Sequence, residues 1–183
     1  DNNGSTTDAL VIETGSGSLT FHSTDTIIGG GSRPLASLDI NITGGTGNVV
    51  ALDIPQIGTS GGTVAGVSGI VRIGNSATQT LTMSDDLYNF GTGAVTLSAL
   101  STGSGTTFNA NDTDVNTSGG SITINGDVVG SLVELDIDTT ANSGTNGTIS
   151  ITGDITAKTG GGADEILVLN AGSGKIDIGG AIG

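Results

Sequence analysis

Oxygen-bearing side chains alternate along one short stretch in the middle of the chain. Asn109, Asn111, Asp112 and Asp114 lie close together in sequence, and each ends in a carboxylate or amide oxygen. Calcium binds six to eight oxygens of this kind, so these residues are the candidate ligands of a Ca²⁺ site. The stretch does not match the loop of an EF-hand, and a solvated acidic loop is the alternative interpretation. No cofactor is expected to be required.

The residue types needed for catalysis are scarce. His22 is the only histidine, and it follows Phe21 in an alternating segment that predicts a solvent-facing imidazole. The neighbouring carboxylates Asp85 and Asp86 would point to opposite faces of a strand, so they could act together on one substrate only if they lie in a loop. No nucleophile elbow, HExxH sequence or phosphate-binding loop is present. The sequence therefore predicts a protein that is not an enzyme.

The net charge and composition limit the classes of partner. Eighteen acidic residues against four basic residues give a net charge of −14. Nucleic acid is not expected to bind, because no cationic surface is available to neutralise its phosphates. Membrane insertion is not expected either, since no apolar run approaches the roughly 20 residues that span a bilayer. The chain has no cysteine, so it contains neither disulfides nor reactive thiols.

The elements that would position these residues are short strands. Apolar and polar residues alternate in bursts such as LDINI, SITIN and TISIT, and glycine-rich turns such as GGTG and TNG separate the bursts. Glycine accounts for 34 of the 183 residues, which leaves no sustained helical periodicity. The pattern predicts an all-β protein.

One phrase recurs near the C-terminal end at a fixed step. Ile122, Ile149 and Ile176 each begin the pattern I-x-I-x-G-[DA]-[IV], and they lie 27 residues apart. In the same frame, the equivalent strands of earlier units begin at Leu19, Val50 and Leu81. A unit of three short strands cannot close a core alone, but stacked units can, with each strand pairing about 4.8 Å above its equivalent.

These repeats predict a parallel β-helix, or β-solenoid, of about six three-strand coils. The whole chain, residues 1–183, is interpreted as a single domain. An antiparallel β-sandwich is the alternative, because it is also built from short strands and turns, but it does not need a 27-residue recurrence. Residues 94–118 are interpreted as containing an irregular insertion, because VTLSAL and TTFNANDTDV make that coil about one strand too long.

The two ends of the chain repeat each other. ALVIETGSGSLTF (residues 9–21) aligns without gaps with ILVLNAGSGKIDI (residues 166–178). Leu19 of a second copy that followed Gly183 would come 26 residues after Ile176, close to the internal step. In-phase ends predict either head-to-tail contact with copies of itself or contact with neighbouring repeats of a longer chain. The candidate assembly residues are Leu10, Ile12, Leu19, Phe21, Ile176, Ile178 and Ile182.

The recurring phrase and the two aligned segments resemble the repeats of large bacterial surface proteins of the filamentous-haemagglutinin-like and giant β-strand-repeat types. The resemblance covers most of the chain and is one of pattern. It implies an exported β-helix at the cell surface with a structural or adhesive role. The expected function is a non-catalytic unit of an extracellular filament or surface layer. The alternative is a stalk or binding segment of a large adhesin, with glycans as partners.

Overall fold

The described part of the chain consists mainly of short β-strands. The computed structural model describes residues 8–15, 17–21, 27–29, 34–41, 50–59, 65–99, 105–108, 112–130, 133–141, 145–158 and 165–183. Eighteen strands lie in these ranges and form three sheets, of seven, five and six strands. Their alternating inward aliphatic residues and glycine-rich corners are what short, sharply connected strands require.

Strands of the three sheets follow one another along the chain. The first sheet contains β1 (Ala9–Ile12), β3 (Ser37–Ile40), β6 (Val71–Ile73), β9 (Val95–Ser98), β12 (Ile122–Asn125), β15 (Ile149–Ile151) and β18 (Ile176–Ile178). The second sheet contains β4 (Val50–Ile54), β7 (Thr78–Met83), β10 (Gly105–Phe108), β13 (Val128–Val129) and β16 (Ile155–Thr156). The third sheet contains β2 (Ile27–Ile28), β5 (Gln56–Ile57), β8 (Leu87–Asn89), β11 (Thr113–Asn116), β14 (Glu134–Asp138) and β17 (Ile166–Asn170).

The topology is that of a parallel β-helix. Each strand pairs in parallel with the equivalent strand of the next coil, as β12 does with β9 and β15. Single parallel bridges, Leu19 to Leu52 and Ile155 to Ile182, extend the second sheet by one level at each end. The described residues therefore form seven levels in the first and second sheets and six in the third. The predicted solenoid of about six coils is confirmed, and the parallel pairing rules out the antiparallel sandwich.

The core consists of stacked columns of inward-facing side chains. In the first sheet, Leu38, Val71, Val95, Ile122 and Ile149 lie above one another and are each at most 1% exposed. A further set of aromatic side chains fills the middle coils, and these are the fully buried Tyr88, Phe90 and Phe108. Because each level covers the one below, an inward side chain is buried except at the two ends of the stack.

The predicted columns were correct near the C-terminus and wrong in the N-terminal half. Ile122 pairs with Ile149, and Ile149 pairs with Ile176, as expected. Leu19 and Leu81 do not belong to this column, because they lie in the second sheet on either side of Leu52. The steps between levels vary in the earlier coils, where the recurring phrase is missing. Without that phrase, the alignment of the repeats was displaced by one strand, so that strands of the second sheet were assigned to the first.

The same misalignment explains why the sequence predicted an extra strand in residues 94–118. β9, β10 and β11 add one regular level to the first, second and third sheet. The segment VTLS, which is β9, pairs with β6 on one side and β12 on the other. Residues 100–104 and 109–111 of this segment lie outside the described residues, so an irregular insertion there stays a prediction.

Candidate functional site

Two carboxylates form a short column on the outer face of the third sheet, between Leu87 and Val168. Asp114 of β11 pairs in register with Asp136 of β14, and Asn116 pairs with Asp138 two residues further on. Burial raises the pKa of Asp136 to about 6, with additional contributions from Asp138, Asp114 and Glu134. Burial also raises the pKa of Asp114, as do the charges of Asp112 and Asp86. The column therefore holds crowded negative charge without a basic residue among the groups that shift these pKa values.

Two of the four candidate calcium ligands lie among the described residues. Asn109 and Asn111 lie outside the described residues, whereas Asp112 lies directly before β11 and Asp114 lies within it, on the outer face. Within the described ranges, no group of three or more histidine, cysteine, aspartate or glutamate side chains is arranged to hold a metal ion. Calcium binding at this stretch stays a prediction.

Asp136 was not among the candidate residues from sequence, although the alternation of acids along β14 indicates its outward position. One carboxylate oxygen of Asp136, Oδ1, is buried and has no hydrogen-bond partner. The alternation Glu134-Leu-Asp136-Ile-Asp138 shows three acids on the outer face of one strand. What could not be read from sequence was the register that places Asp136 beside Asp114 of the preceding coil.

The other residues considered for catalysis do not form a site among the described residues. His22 lies outside the described residues. Asp85 and Asp86 occupy a bend rather than a strand, so the expected strand alternation does not apply to them. The backbone N–H of Asp85 donates a hydrogen bond to the hydroxyl of Tyr88, and that of Asp86 donates to Oδ1 of Asp85. Asp85 therefore takes part in shaping the turn that precedes β8.

The two ends of the solenoid expose its core. Eight apolar side chains of the described residues pack against the core while only partly buried, and seven of these lie in the first or last coil: Leu10, Ile12, Leu19, Phe21, Leu167, Leu169 and Ile178. Ile176 and Ile182, which end two inward columns, are 43% and 64% exposed. All seven residues predicted for assembly thus lie in the terminal coils and are incompletely buried.

The terminal strands also present free edges. Within the described residues, β1 pairs only with β3, and β18 pairs only with β15. A strand with one neighbour has N–H and C=O groups along its open side, which is a template for pairing with another chain. The outward residue Val11 of β1 is 59% exposed, whereas the next two residues of its column are the ion-paired Asp39 and Arg72. The N-terminal end therefore combines an open edge with apolar surface.

The ends are not in phase in the way the sequence suggested. Leu10, and not Leu19, shares the column of Ile176, because both lie in the first sheet. In a continuous chain of copies, seven residues from Ile176 to Gly183 and ten more to Leu10 make a step of 17. The shortest internal step of this column, from Val71 to Val95, is 24 residues. Direct joining of the two ends would thus fall about one strand short, and the missing strand is one of the third sheet.

The chain matches no protein-family model, no curated protein and no solved structure. Among the described residues, no helix has the length and apolar character needed to cross a membrane.

Proposed function

We propose that the chain is a non-catalytic structural protein of the cell exterior, a β-helical unit of an extracellular filament or surface layer. Its copies stack head to tail through the terminal coils. The observation that carries this proposal is the exposure of the core at both ends, where inward columns stop at Ile176 and Ile182 on one side and at Leu10 and Leu19 on the other. The exterior location rests on the resemblance of the repeats to those of bacterial surface proteins.

The observed register predicts how two copies would meet. β1 of the incoming copy would pair with β18, which places Leu10 over Ile176 and Ile12 over Ile178. Leu19 would lie over Ile182 in the second sheet. Contact through free edges needs no covalent continuity, so the short step across the ends does not prevent it. Hydrogen bonds would fix the register, and burial of the terminal aliphatic side chains would supply the main driving force.

The net charge of −14 opposes this contact between copies. Like charges on two approaching bodies repel over a distance set by the ionic strength. Assembly is therefore expected to require salt or divalent cations, whether or not calcium occupies a specific site.

Negative-stain electron microscopy of the purified chain, with calcium and with a chelator, tests the proposal. The wild-type chain is expected to form fibres about 20–40 Å wide, the width of one or two solenoids. Leu10→Lys and Ile182→Lys each place a charge on one end face and should leave discrete particles. Thr123→Lys is the matched control, because it adds the same charge to the outer face of β12, far from both ends.

Discrete particles of the wild-type chain under all conditions would contradict the filament proposal. The alternative function, a stalk or binding segment of a large adhesin, would then be favoured. Fibres that form equally well from Leu10→Lys and Ile182→Lys would contradict the assignment of the end faces as the contact.

A further inference from the structure

An asparagine that is followed by glycine is a chemically labile pair. The sequence contains three such pairs, and two of them, Asn125 with Gly126 and Asn146 with Gly147, lie among the described residues. Glycine has no Cβ to hinder its backbone nitrogen, which can attack the side-chain carbonyl carbon of the preceding asparagine. A five-membered succinimide forms, ammonia leaves, and water opens the ring to aspartate or isoaspartate. Whether a pair reacts depends on how the fold holds its two amide groups.

The side chain of Asn146 is held by the coil that follows it. Asn146 is exposed and lies between β14 and β15, outside any strand. Its Nδ2 donates a hydrogen bond to Oγ of Ser173, 27 residues ahead, at 2.6 Å. Its Oδ1 lies so close to the backbone of Gly172 that a Cβ on that glycine would collide with it. The carboxamide is therefore fixed toward the next coil, although water reaches it.

The attacking nitrogen of this pair is fixed separately. The N–H of Gly147 donates to Oγ1 of Thr139 at 3.2 Å, and Thr139 is fully buried. An interior hydroxyl thus holds the amide proton, while the carboxamide of Asn146 is bound on the outside. To form the succinimide, the pair must break both hydrogen bonds and bring the nitrogen of Gly147 to Cγ of Asn146. The stacked fold therefore opposes the reaction.

Both restraints depend on the coil that contains β17 and β18. Ser173 belongs to this coil directly. The coil also covers Thr139, whose N–H donates to the carbonyl of Asn170. At the adjoining corner, Gly174 approaches Gly147 so closely that a Cβ on Gly174 would collide with the carbonyl oxygen of Gly147. Detachment of this one coil would therefore release the carboxamide and open Thr139 to water.

Asn125 is restrained from two directions and serves as an internal reference. It is the last residue of β12, and its Nδ2 donates to Oγ of Ser98 in the preceding coil at 3.1 Å. The N–H of Gly126 donates to Oγ1 of Thr152 in the following coil at 3.0 Å. Full release of this pair therefore requires separation from the coils on both sides.

We propose that Asn146 is a deamidation site that is protected while the coil of β17 and β18 is stacked and that reacts when this coil detaches. The bond between the nitrogen of Gly147 and Cγ of Asn146 forms as the bond from Cγ to Nδ2 breaks. The amide proton of Gly147 goes to solvent, and Nδ2 takes up a proton from solvent to leave as ammonia. Water then opens the ring, with no change in oxidation state.

The product would make the opening of the coil permanent. An isoaspartate adds one carbon atom to the backbone directly before Gly147. A Cβ built on Gly147 would already come closer than 3 Å to the carbonyl group of Gly120, so this corner has no room for a longer backbone. The modified coil would not restack in its original geometry.

Ageing the purified chain in mildly alkaline buffer, followed by digestion and tandem mass spectrometry, measures deamidation at Asn125 and Asn146. Hydrogen exchange at the amide of Ile149, which donates to the carbonyl of Lys175, measures in parallel how often the coil detaches. In a urea series below the unfolding midpoint, the rate at Asn146 should rise in proportion to that exchange, because slow chemistry follows the population of the open state. The rate at Asn125 should stay low until the whole chain unfolds.

A glycine substitution opens the same coil without denaturant. Gly174→Ala places a methyl group against the carbonyl of Gly147 and should raise the rate at Asn146 by about tenfold. Gly130→Ala is the matched control, because it has room for the methyl group and should leave the rate unchanged. The urea series on the wild-type chain decides the question even if Gly174→Ala fails to fold.

Three results would overturn the proposal. The first is deamidation of Asn146 in the folded wild-type chain at the rate found in the urea-unfolded chain. The second is a rate at Asn146 that stays constant while hydrogen exchange at Ile149 accelerates. The third is equal acceleration at Asn125 and Asn146 below the unfolding midpoint, which would mean that the two pairs are released together.

Discussion

Asp136 shows how a single residue acquires unusual chemistry from its neighbours in the next coil. Its carboxylate is partly buried and faces Asp114 across a strand pair, with further acids on either side of it in β14. Its pKa of about 6 is above the ordinary value of about 3.9, so the folded chain binds more protons than the unfolded chain between these pH values. Folding stability contributed by this group is therefore present in acid and is lost as the pH rises through 6.

Asp136→Asn should remove the loss of folding stability that accompanies ionisation of Asp136. At neutral pH, the variant is expected to be more stable than the wild type by about 1 kcal/mol, a value reduced for solvent screening of a group that is not fully buried. Urea denaturation at pH values between 4 and 7 would measure the free energy of unfolding of both chains. Asp8→Asn, which removes a charge from the exposed end of β1, is the control. An identical pH dependence of the two variants would show that only net charge matters.

Tyr88 contributes through its hydroxyl as well as its buried ring. The hydroxyl donates to the carbonyl of Ile54 at 2.9 Å and accepts the backbone N–H of Asp85 at 2.8 Å. Tyr88→Phe keeps the ring but loses both hydrogen bonds, so we expect a loss of about 1–2 kcal/mol in the free energy of unfolding. Thermal and urea denaturation would measure it. An unchanged stability would mean that the turn at Asp85 rearranges to satisfy its own amide.

Glycines are stacked at the corners between the third and first sheets, where adjacent backbones come close together. Gly93, Gly120 and Gly147 lie above one another there, and a Cβ built on Gly120 would come closer than 3 Å to the carbonyl group of Gly93. None of the three needs a left-handed conformation, so the requirement is space between adjacent backbones. The close approach explains why glycine recurs at this corner while the strands around it vary in sequence.

Gly120→Ala should therefore destabilise the fold by about 1–3 kcal/mol, because backbone on both sides prevents an easy adjustment. Gly130→Ala is the matched control, since the nearest atom to a Cβ there is 3.7 Å away. That variant is expected to keep its stability or to gain a few tenths of a kcal/mol from a less flexible unfolded chain. The difference between their urea midpoints is the measurement. Equal effects would mean that the corner opens without cost.

The aspartate of the recurring phrase links one coil to the next. Oδ1 of Asp127 accepts the backbone N–H of Asp154 at 3.0 Å, and Oδ1 of Asp154 accepts that of Ala181 at 2.7 Å. These bonds give a physical reason for an acidic residue directly after the glycine. Each bond spans 27 residues, the step of the phrase, because it joins equivalent corners of adjacent coils.

Asp154→Ala should loosen the last level of the second sheet, where Ile155 bridges Ile182. The expected result is faster hydrogen exchange at the Ala181 amide, with a global loss of about 1 kcal/mol. Asp154→Asn keeps an oxygen in the same position and should retain most of the protection. Unchanged exchange in the alanine variant would show that the pairing of backbones alone holds this level.

At the scale of the whole molecule, charge should govern association. The net charge of −14 is screened over about 30 Å at 0.01 M salt and about 8 Å at 0.15 M. Stacking through the ends is therefore expected to strengthen as monovalent salt increases, and analytical ultracentrifugation at these two ionic strengths would measure it. Association that weakens with salt would point to a contact made by opposite charges instead of the apolar end faces.

The architecture was predictable because it depends on a recurrence that can be counted. Three copies of one phrase, at Ile122, Ile149 and Ile176, were enough to identify stacked parallel strands and their inward columns. The frame of the earlier coils was not predictable, because their turns differ in length and the strands themselves are too alike to tell one sheet from another. The same ambiguity hid the pairing of Asp114 with Asp136, and it made the ends look continuous when a third-sheet strand is missing between them.

The stacked parallel coils also have a mechanical consequence. A coil of the recurring phrase contains 27 residues, yet it raises the solenoid by only about 4.8 Å. Pulled straight, the same residues would extend to about 90 Å. A force along the axis that detached one level would therefore release nearly twenty times the length that the level occupied. Such a chain would unfold in steps, one coil at a time, and would absorb mechanical work before it was fully extended.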